Sequence, residues 1–404
     1  GMEVTIKPGR VRGKITAPPS KSMAQRFLIC GALAQGTSKI ENIALSEDVA
    51  AAIRCLRALG AEIEVNGSVA EVRGGIAPRD GAAADCGASG AVLRFLIPAA
   101  IASGKEITFT GTPRLFERPL GVYEEICAGR GIEFVRGENS LTVKGKLPAG
   151  EYRIPGDVSS QFASGLLFAL PLQEGESRIE FTTRIESKSY IDMTLYALRR
   201  FGASAGWEGE RLIKIPGCEK LRPAKVLVPG DYSNAAFFAA MNCFGSEIEI
   251  AGLDPDSLQG DRAYEEFFPL LCAGRPSIDI SACPDLAPVL FAVAAAKNGA
   301  LFTGTRRLAY KESSRAAAMA EELAKFGARL EIGENFVAVS GGGLHPPEEK
   351  LDSHDDHRIA MALAVLCTAF GGTISGGEAV RKSCPNFFDT MKSLGFEAES
   401  GDII

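Results

Sequence analysis

The chain has 404 residues, of which 46% are hydrophobic and 23% charged, and its formal net charge at pH 7 is −6. A single hydrophobic core rarely serves more than about 250–300 residues, so this length predicts two or three domains. The acidic balance argues against a nucleic-acid-binding protein, because such proteins carry a positive footprint. No apolar run reaches the roughly 20 residues of a bilayer-spanning helix, so the sequence predicts no transmembrane helix.

The stretch Glu3-Val4-Thr5-Ile6-Lys7 is not the basic-then-apolar start of a secretory signal, so we expect a cytoplasmic protein. The ten cysteines are scattered along the chain, and no two of them have CxxC spacing. Most of them fall in apolar helical patterns. We therefore predict reduced cysteines that act as small hydrophobic residues in the structure.

The first informative stretch is Pro18-Pro19-Ser20-Lys21-Ser22, which leads into an apolar helix pattern with Arg26 one turn inside it. A buried cation is costly unless an anionic group meets it. Either these cations pair with acidic side chains, or they bind an anionic ligand. Ser22 and Arg26 are four residues apart and share a helix face, so one phosphate could contact both.

Polar residues also lead into five further helices that are apolar nearly all round. These starts are Gly87–Ala91, Asp157–Gln161, Asp231–Asn234, Pro284-Asp285 and Asp355–Arg358. A helix that is apolar on every face belongs inside its domain. Its N-terminus offers unpaired backbone N–H groups and the positive end of the helix dipole, which suit phosphate or carboxylate.

A second element recurs between these buried helices about every seventy residues. It is an amphipathic helix that ends in glycine, followed by alternating strand-like residues. The six glycines are Gly60, Gly131, Gly202, Gly274, Gly327 and Gly395, and we predict them to be left-handed C-caps. Each repeat unit then reads as buried helix, strand, exposed helix and strand hairpin, with a hairpin turn at Asn66-Gly67. The shorter interval after Gly274 predicts that the fourth unit lacks its hairpin.

Three such units can close around their buried helices as one lobe, so six units predict two lobes. Proline and glycine interrupt the pattern near Lys14–Pro18 and near Val228–Gly230, where we expect the chain to cross between lobes. The predicted first lobe is 15–228, and the second lobe comprises 1–14 and 229–404. If the N-termini of the buried helices point at the gap between the lobes, that gap binds anions.

Eight cations stand at or near these helix starts in an otherwise acidic protein. They are Lys21, Arg26, Arg94, Arg118, Lys311, Arg315, Arg358 and Lys382. Each of them could bind an anionic ligand or form an ordinary salt bridge, and the sequence leaves both interpretations open.

Two carboxylates stand among these cations. Asp285 opens a buried helix, where it is either an N-cap or a catalytic group, and Glu312 lies between Lys311 and Arg315, where it is either an ion-pair partner or a proton donor. The stretch His354-Asp355-Asp356-His357 suggests a metal site. With three histidines in the whole chain and no third ligand in register, we predict no metal.

Several short motifs, taken as a set and in this order, resemble the 5-enolpyruvylshikimate-3-phosphate (EPSP) synthase family. They are Pro19-Ser20-Lys21-Ser22 with Arg26, Glu117-Arg118-Pro119-Leu120, Ser159-Ser160-Gln161, Ser187-Lys188-Ser189-Tyr190, Lys311-Glu312 with Arg315, and Asp356-His357-Arg358. The resemblance runs from about Ile6 to Leu394. It implies a two-lobed inside-out α/β barrel of six βαβαββ units, three per lobe, whose buried helices point their N-termini into the interlobe cleft.

The resemblance also implies an activity. The family transfers the enolpyruvyl group of phosphoenolpyruvate to the 5-hydroxyl of shikimate 3-phosphate in the shikimate pathway and releases phosphate, without a metal or cofactor. By this resemblance Asp285 would orient or deprotonate the 5-hydroxyl, Glu312 would protonate the methylene carbon, and Lys21 would contact both substrates. Glyphosate mimics the phosphoenolpyruvate state in this family, and sensitivity to it depends on the wall around Gly90.

The resemblance assigns the substrate-binding residues as well. Shikimate 3-phosphate would contact Lys21, Ser22, Arg26, Ser159, Ser160, Gln161, Ser187, Tyr190, Asp285 and Lys311. Phosphoenolpyruvate would contact Lys21, Gly90, Arg94, Arg118, Gln161, Arg315, Arg358 and Lys382. The predicted partners are these small molecules alone, without nucleic acid or membrane, and the protein is expected to be a monomer.

The sequence departs from the family pattern at Ala88 and Ala91, where an amide and a hydroxyl are usual, and at Ser314, where an acidic residue or asparagine is usual. These changes keep open a ligand-binding homologue with weak or no turnover. A second alternative is the enolpyruvyl transferase that acts on UDP-N-acetylglucosamine. That family carries a loop cysteine five residues before the arginine that matches Arg118, and Pro113 stands there in this chain.

Overall fold

The computed structural model describes residues 1–402. The chain divides into two compact lobes. The first lobe is Pro19–Pro229, and the second lobe combines Gly1–Pro18 with the chain from Gly230 onward. Both junctions lie next to a proline, which cannot donate a backbone hydrogen bond and so readily interrupts regular structure.

The elements follow one another in a repeated order. The chain opens with two strands of the second lobe, β1 (Met2–Ile6) and β2 (Arg12–Thr16). The first lobe then contains α1 (Lys21–Leu33), β3 (Thr37–Glu41), α2 (Glu47–Ala58), β4 (Glu62–Asn66), β5 (Val69–Arg73), β6 (Ala82–Asp85), α3 (Gly90–Ala102), β7 (Ile107–Thr110), α4 (Pro113–Glu117), α5 (Gly121–Ala128), β8 (Glu133–Gly137), β9 (Ser140–Lys144), β10 (Glu151–Ile154), α6 (Gln161–Ala169), β11 (Ser177–Phe181), α7 (Lys188–Arg200), β12 (Gly206–Trp207), β13 (Leu212–Ile215) and β14 (Lys225–Leu227).

The second lobe resumes with the remaining elements. They are α8 (Tyr232–Met241), β15 (Glu247–Ala251), α9 (Tyr264–Ala273), β16 (Ser277–Asp279), α10 (Ala287–Ala296), β17 (Ala300–Thr303), α11 (Arg315–Ala324), β18 (Leu330–Ile332), β19 (Phe336–Val339), β20 (Leu351–Asp352), α12 (His357–Phe370), β21 (Gly372–Ser375), α13 (Phe387–Leu394) and β22 (Ala398–Asp402). Short 3₁₀ helices include Gly260–Ala263, Pro284–Leu286, Arg306–Tyr310 and Gly377–Lys382.

The sheets show the repeat directly. Four-stranded sheets in the order β14-β3-β5-β4, β6-β7-β9-β8 and β10-β11-β13-β12 make up the first lobe, and β16-β17-β19-β18 and β20-β21-β1-β22 belong to the second. In each of them two parallel strands are followed by two antiparallel ones. The exception is the two-stranded parallel sheet of β2 and β15, which carries no hairpin. The predicted shortening of the fourth unit is therefore confirmed.

The helices that the sequence predicts to be interior are buried. In α10 every residue from Ala287 to Ala295 is buried, and in α12 burial runs from His357 to Thr368. The helices α1, α3, α6 and α8 are buried over most of their length in the same way. A helix without a polar face has no favourable position at the surface, so these helices fill the core of each lobe.

The predicted left-handed C-caps are confirmed at five of six positions. Gly60, Gly131, Gly202, Gly327 and Gly395 have φ values of 106°, 67°, 93°, 94° and 112°. Gly274 is the C-cap of α9 as predicted, but its φ of −174° is extended backbone, so the prediction of a left-handed conformation was wrong there. No hairpin follows α9, so the chain leaves this helix straight into β16 and does not need a left-handed turn. The first hairpin turn lies one residue later than predicted, at Gly67-Ser68, because Asn66 pairs with Val69.

Among residues 1–402, no helix is both long enough and apolar enough to span a membrane. All ten cysteines are free thiols, and seven of them are buried. Cys218 and Cys272 are exposed, so the interpretation as small core residues does not apply to these two.

Candidate functional site

In the first lobe, Lys21 stands at the start of α1. The helix begins here because Ser20 Oγ accepts a hydrogen bond from the Met23 amide at 3.1 Å, which is an N-cap. Lys21 Nζ donates to Asp48 Oδ2 at 2.7 Å, and both side chains are mostly buried. The sequence allowed Lys21 either to pair with an acidic side chain or to bind an anionic ligand. In this structure it pairs with an acidic side chain. Asp48 was not predicted, although the Ser46-Glu47-Asp48 start of α2 is an N-terminal signal.

Arg26 is in a different situation. It is 1% exposed, and its guanidinium donates to the Ser22 hydroxyl at 2.5 Å, to the Tyr190 carbonyl at 3.1 Å and to Thr194 Oγ1 at 2.9 Å. It also lies over the Phe95 ring at 4.9 Å. Within residues 1–402 its hydrogen-bond partners are all neutral. Burial lowers the pKa of Arg26 to about 10, which leaves it charged at neutral pH. A buried, charged guanidinium among neutral acceptors is a site that an anion stabilises.

Arg94 connects α3 to two other elements of the first lobe. Its Nη1 donates to Gln161 Oε1 at 3.0 Å, and its Nη2 donates to the Pro119 carbonyl at 2.9 Å. The guanidinium also lies 5.1 Å from the centre of the Phe162 ring. Arg94 thus orients Gln161, at the start of α6, and holds the segment that contains Arg118.

Gly90 and Arg118 are in direct contact. A Cβ atom added to Gly90 would lie 2.3 Å from Arg118 Nη1 and 2.4 Å from Arg118 Cζ. Arg118 is 6% exposed, so its guanidinium is packed against the first residue of α3. A Cβ atom at position 90 would therefore displace the end of the Arg118 side chain.

The predicted serines lie at the starts of α6 and α7. Ser159 Oγ accepts from the Gln161 amide at 3.3 Å, and Ser160 is buried directly before α6. Ser187 is buried before α7 with a left-handed φ of 54°, which is unusual for a residue other than glycine. Tyr190, one turn into α7, provides the carbonyl that Arg26 binds. Thr194 was not predicted, although it is four residues after Tyr190 on the same helix.

In the second lobe, Arg315 brings three carboxylates together. It is the first residue of α11 and is 1% exposed. Its guanidinium donates to Asp356 Oδ2 at 2.9 Å, to Asp285 Oδ1 at 2.9 Å and to Glu312 Oε2 at 2.7 Å. The two predicted catalytic carboxylates therefore bind one guanidinium group.

Asp285 is ionised in this arrangement. Burial alone would raise the pKa of its carboxyl, but the charges of Lys311, Arg358 and Arg315 lower the pKa well below the ordinary value. Lys311 Nζ lies 3.8 Å from Asp285 Oδ1. Asp285 is accordingly a carboxylate that accepts hydrogen bonds, and it is a weak base.

Asp356 also belongs to this cluster, although it was not predicted as a site residue. It is fully buried and accepts from Arg315 Nε, from Ser313 Oγ at 2.8 Å and from the Arg358 amide at 2.9 Å. It caps the N-terminus of α12 and fixes the start of α11 to it. Its position directly before a buried helix was the signal that could have identified it.

Arg358 and Lys382 complete the cations of the second lobe. Arg358 is 3% exposed, and among the described residues its Nε and Nη1 atoms have no hydrogen-bond partner. Although burial lowers the pKa of Arg358, the charges of Asp285, Asp231 and Asp261 raise it above the ordinary value. Lys382 Nζ donates to the Asp355 carbonyl and lies 3.2 Å from Asp355 Oδ2. Buried, charged N–H groups without acceptors are costly, and an anionic ligand would satisfy them.

Comparisons of the sequence and of the structure with known proteins agree on one family. The family model described as EPSP synthase (3-phosphoshikimate 1-carboxyvinyltransferase) matches residues 6–268 and 273–391. The chain belongs to the EPSP synthase family. A protein of Clostridium kluyveri named 3-phosphoshikimate 1-carboxyvinyltransferase is 40% identical, with 99% of each chain covered, and one of Clostridium novyi with the same name is 38% identical, with 97% of each covered. The solved EPSP synthase of Acinetobacter baumannii has a TM-score of 0.80 at 26% identity over the full length of both chains.

Membership of the EPSP synthase family confirms the resemblance that the motifs indicated. The chain covers its relatives over nearly their whole length, so it contains all six repeat units of the family fold. The structure adds Asp48, Thr194 and Asp356 as residues that contact the predicted site residues.

Proposed function

We propose that this chain is a 3-phosphoshikimate 1-carboxyvinyltransferase. It transfers the enolpyruvyl group of phosphoenolpyruvate to the 5-hydroxyl of shikimate 3-phosphate and releases phosphate. The observation that carries this proposal is the binding of Asp285 and Glu312 by the single guanidinium of Arg315. Two carboxylates in one cationic cluster can serve the hydroxyl and the methylene carbon of one reaction.

Shikimate 3-phosphate would bind at Arg26, the buried cation of the first lobe whose hydrogen-bond acceptors are neutral. Its phosphate would contact Arg26 and Ser22, and its other oxygens would contact the remaining residues proposed for it. These are Lys21, Ser159, Ser160, Gln161, Ser187, Tyr190, Asp285 and Lys311. Arg26 supports this assignment, because it is buried and bound to neutral acceptors.

Phosphoenolpyruvate would bind a second set of mostly cationic residues. The proposed residues are Lys21, Gly90, Arg94, Arg118, Gln161, Arg315, Arg358 and Lys382. The buried donors of Arg358 support this assignment, because a phosphate or carboxylate would supply the acceptors that they lack. Lys21 would exchange Asp48 for the more highly charged ligand.

The reaction would proceed by addition and elimination. Asp285 would orient the 5-hydroxyl and, although it is a weak base, would accept its proton once bond formation to the central carbon of phosphoenolpyruvate has made that proton strongly acidic. Glu312, in its protonated form, would donate a proton to the methylene carbon. In the resulting tetrahedral intermediate Glu312 would take a proton back from the methyl group as the C–O bond to phosphate breaks. The phosphate would leave with the proton held by Asp285, which restores the double bond and gives the enol ether. Fixed cations that stabilise the developing charge, together with the positioning of both substrates, would provide most of the rate enhancement.

The test is steady-state phosphate release with both substrates. We expect release that requires both of them, and we expect Glu312→Gln to lower kcat by at least about a hundredfold, the usual scale of general acid catalysis. Glu321→Gln is the matched control, because Glu321 lies on α11 with an exposed side chain. No release above background at millimolar substrate, or full activity of Glu312→Gln, would contradict the proposal. Release with UDP-N-acetylglucosamine as the acceptor would favour the alternative transferase.

A further inference from the structure

Glu322 is a buried carboxylate that the proposed reaction does not use. It lies on α11 seven residues after Arg315, so the two side chains share a helix face two turns apart. It is 0% exposed. A carboxylate is rarely retained in the interior unless its partners compensate for the loss of water, so its contacts require an explanation.

The contacts of Glu322 converge on the segment that precedes α12. Its Oε1 atom accepts from the Asp352 amide at 2.8 Å and from Lys325 Nζ at 2.7 Å. Its Oε2 atom lies 2.7 Å from His354 Nε2, which donates when that nitrogen carries the proton. Glu322 therefore binds the residues on both sides of Ser353.

The backbone of this segment is strained. His354 and Asp355 have left-handed φ values of 54° and 51°, a conformation that costs free energy for residues other than glycine. Such a conformation persists only where the surroundings fix it. The His354 amide donates to Asp352 Oδ1 at 2.9 Å, and the Ser353 amide donates to the Ser375 carbonyl at 3.0 Å. The side chain of His354 is tied to α11 through Glu322.

The strained residues are followed at once by the groups that hold the cations of the second lobe. The carbonyl and carboxylate of Asp355 both bind Lys382. Asp356 binds Arg315 and caps α12 at the Arg358 amide. Three cations proposed for phosphoenolpyruvate thus depend on the path of residues 353–356.

A metal ion is the competing explanation. The ligand atoms of Glu321, Glu322 and His354 lie within 4.8 Å of one another. However, the ammonium group of Lys325 already supplies a positive charge at 2.7 Å from Glu322, and Glu321 is 65% exposed. The observations favour direct hydrogen bonds from Glu322 to its protein partners over a metal site.

We infer that Glu322 and His354 are positioning residues that fix residues 353–356, and through them Arg315, Arg358 and Lys382, for phosphoenolpyruvate. This inference rests on the proposed function. Neither residue is among those proposed to contact a substrate, so both would act through residues 353–356.

The test compares His354→Ala, His354→Gln and Glu322→Gln with the control Glu321→Gln, and each substrate is varied in turn. We expect His354→Ala and Glu322→Gln to raise KM for phosphoenolpyruvate about tenfold or more, the scale expected for losing a charge-assisted hydrogen bond. KM for shikimate 3-phosphate should change less than about twofold. His354→Gln should recover most of the loss, because its amide can donate to the same carboxylate. Glu321→Gln should match the wild type.

An unchanged KM for phosphoenolpyruvate in His354→Ala would overturn the inference. An equal rise in KM for phosphoenolpyruvate and in KM for shikimate 3-phosphate would also overturn it. So would a KM for phosphoenolpyruvate in His354→Gln as high as in His354→Ala, because either result indicates a general structural role. If His354→Ala does not fold, Glu322→Gln and His354→Gln provide the test. The inference then requires that Glu322→Gln raise KM for phosphoenolpyruvate and that His354→Gln raise it less. If the wild type releases no phosphate, the proposed function fails. Calorimetric titration of phosphoenolpyruvate then decides the inference: weaker binding by His354→Ala supports it, and equal binding refutes it.

Discussion

Asp261 should make the stability of this protein depend on pH. It lies in the 3₁₀ helix Gly260–Ala263, is 1% exposed and accepts a hydrogen bond from Ser233 Oγ. Among the described residues its Oδ1 atom has no hydrogen-bond partner. Burial, and then the negative charge of Asp285, raise the pKa of Asp261 to about 7 from an ordinary value of 3.8.

The sign and size of the effect follow from this shift. The folded protein holds a proton on Asp261 that the unfolded chain has already released at mildly acidic pH. The stabilisation is therefore complete below the ordinary pKa and is lost as pH rises toward 7. One pKa unit corresponds to about 1.4 kcal/mol, so the shift amounts to about 4 kcal/mol. Asp261→Asn stays neutral at every pH and should not show this loss.

The assay is urea unfolding of the wild type and Asp261→Asn between pH 4 and pH 8. We expect the free energy of unfolding of the wild type, relative to the variant, to fall by up to about 4 kcal/mol across this range. Asp256→Asn, at an exposed neighbouring position, is the control and should track the wild type. A wild-type-to-Asp261→Asn difference that stays constant with pH would refute the reasoning.

Three substitutions test the packing of the first lobe. Gly90→Ala should change the free energy of unfolding by less than about 1 kcal/mol, because its Cβ meets only the end of the Arg118 side chain, but should raise KM for phosphoenolpyruvate at least about tenfold in steady-state kinetics. Gly165→Ala should cost about 2–3 kcal/mol in thermal denaturation, because its Cβ would lie 2.3 Å from the Arg94 carbonyl oxygen, in the backbone of α3. Arg26→Met should cost about 2–3 kcal/mol and abolish calorimetric binding of shikimate 3-phosphate, because it removes the buried charge and leaves neutral acceptors unpaired.

The repeat architecture could be predicted because it rests on local patterns. Buried helices such as α10 are apolar on every face, and glycines such as Gly60 mark where the exposed helices end. Both signals come from backbone geometry and side-chain polarity within a few turns of helix. The error at Gly274 has the same origin, because its conformation depends on the missing hairpin that follows α9.

The partners of the site residues could not be predicted in this way. Lys21 binds Asp48, Arg26 binds Thr194, and Arg315 binds Asp356, which are 27, 168 and 41 residues apart in the chain. Sequence motifs identify which cations and carboxylates are present. They do not show which of them meet across packed helices.

The sequence by itself determined the six-unit repeat, the shortened fourth unit and the set of charged groups at the helix starts. Only the tertiary structure decided that Lys21 pairs with a carboxylate while Arg26 is surrounded by neutral acceptors, and that Asp285 and Glu312 share Arg315. The physical reason is that secondary structure follows from interactions between near neighbours in the chain. The charge state and partners of a buried group depend on every element that packs around it, and these elements come from distant parts of the sequence.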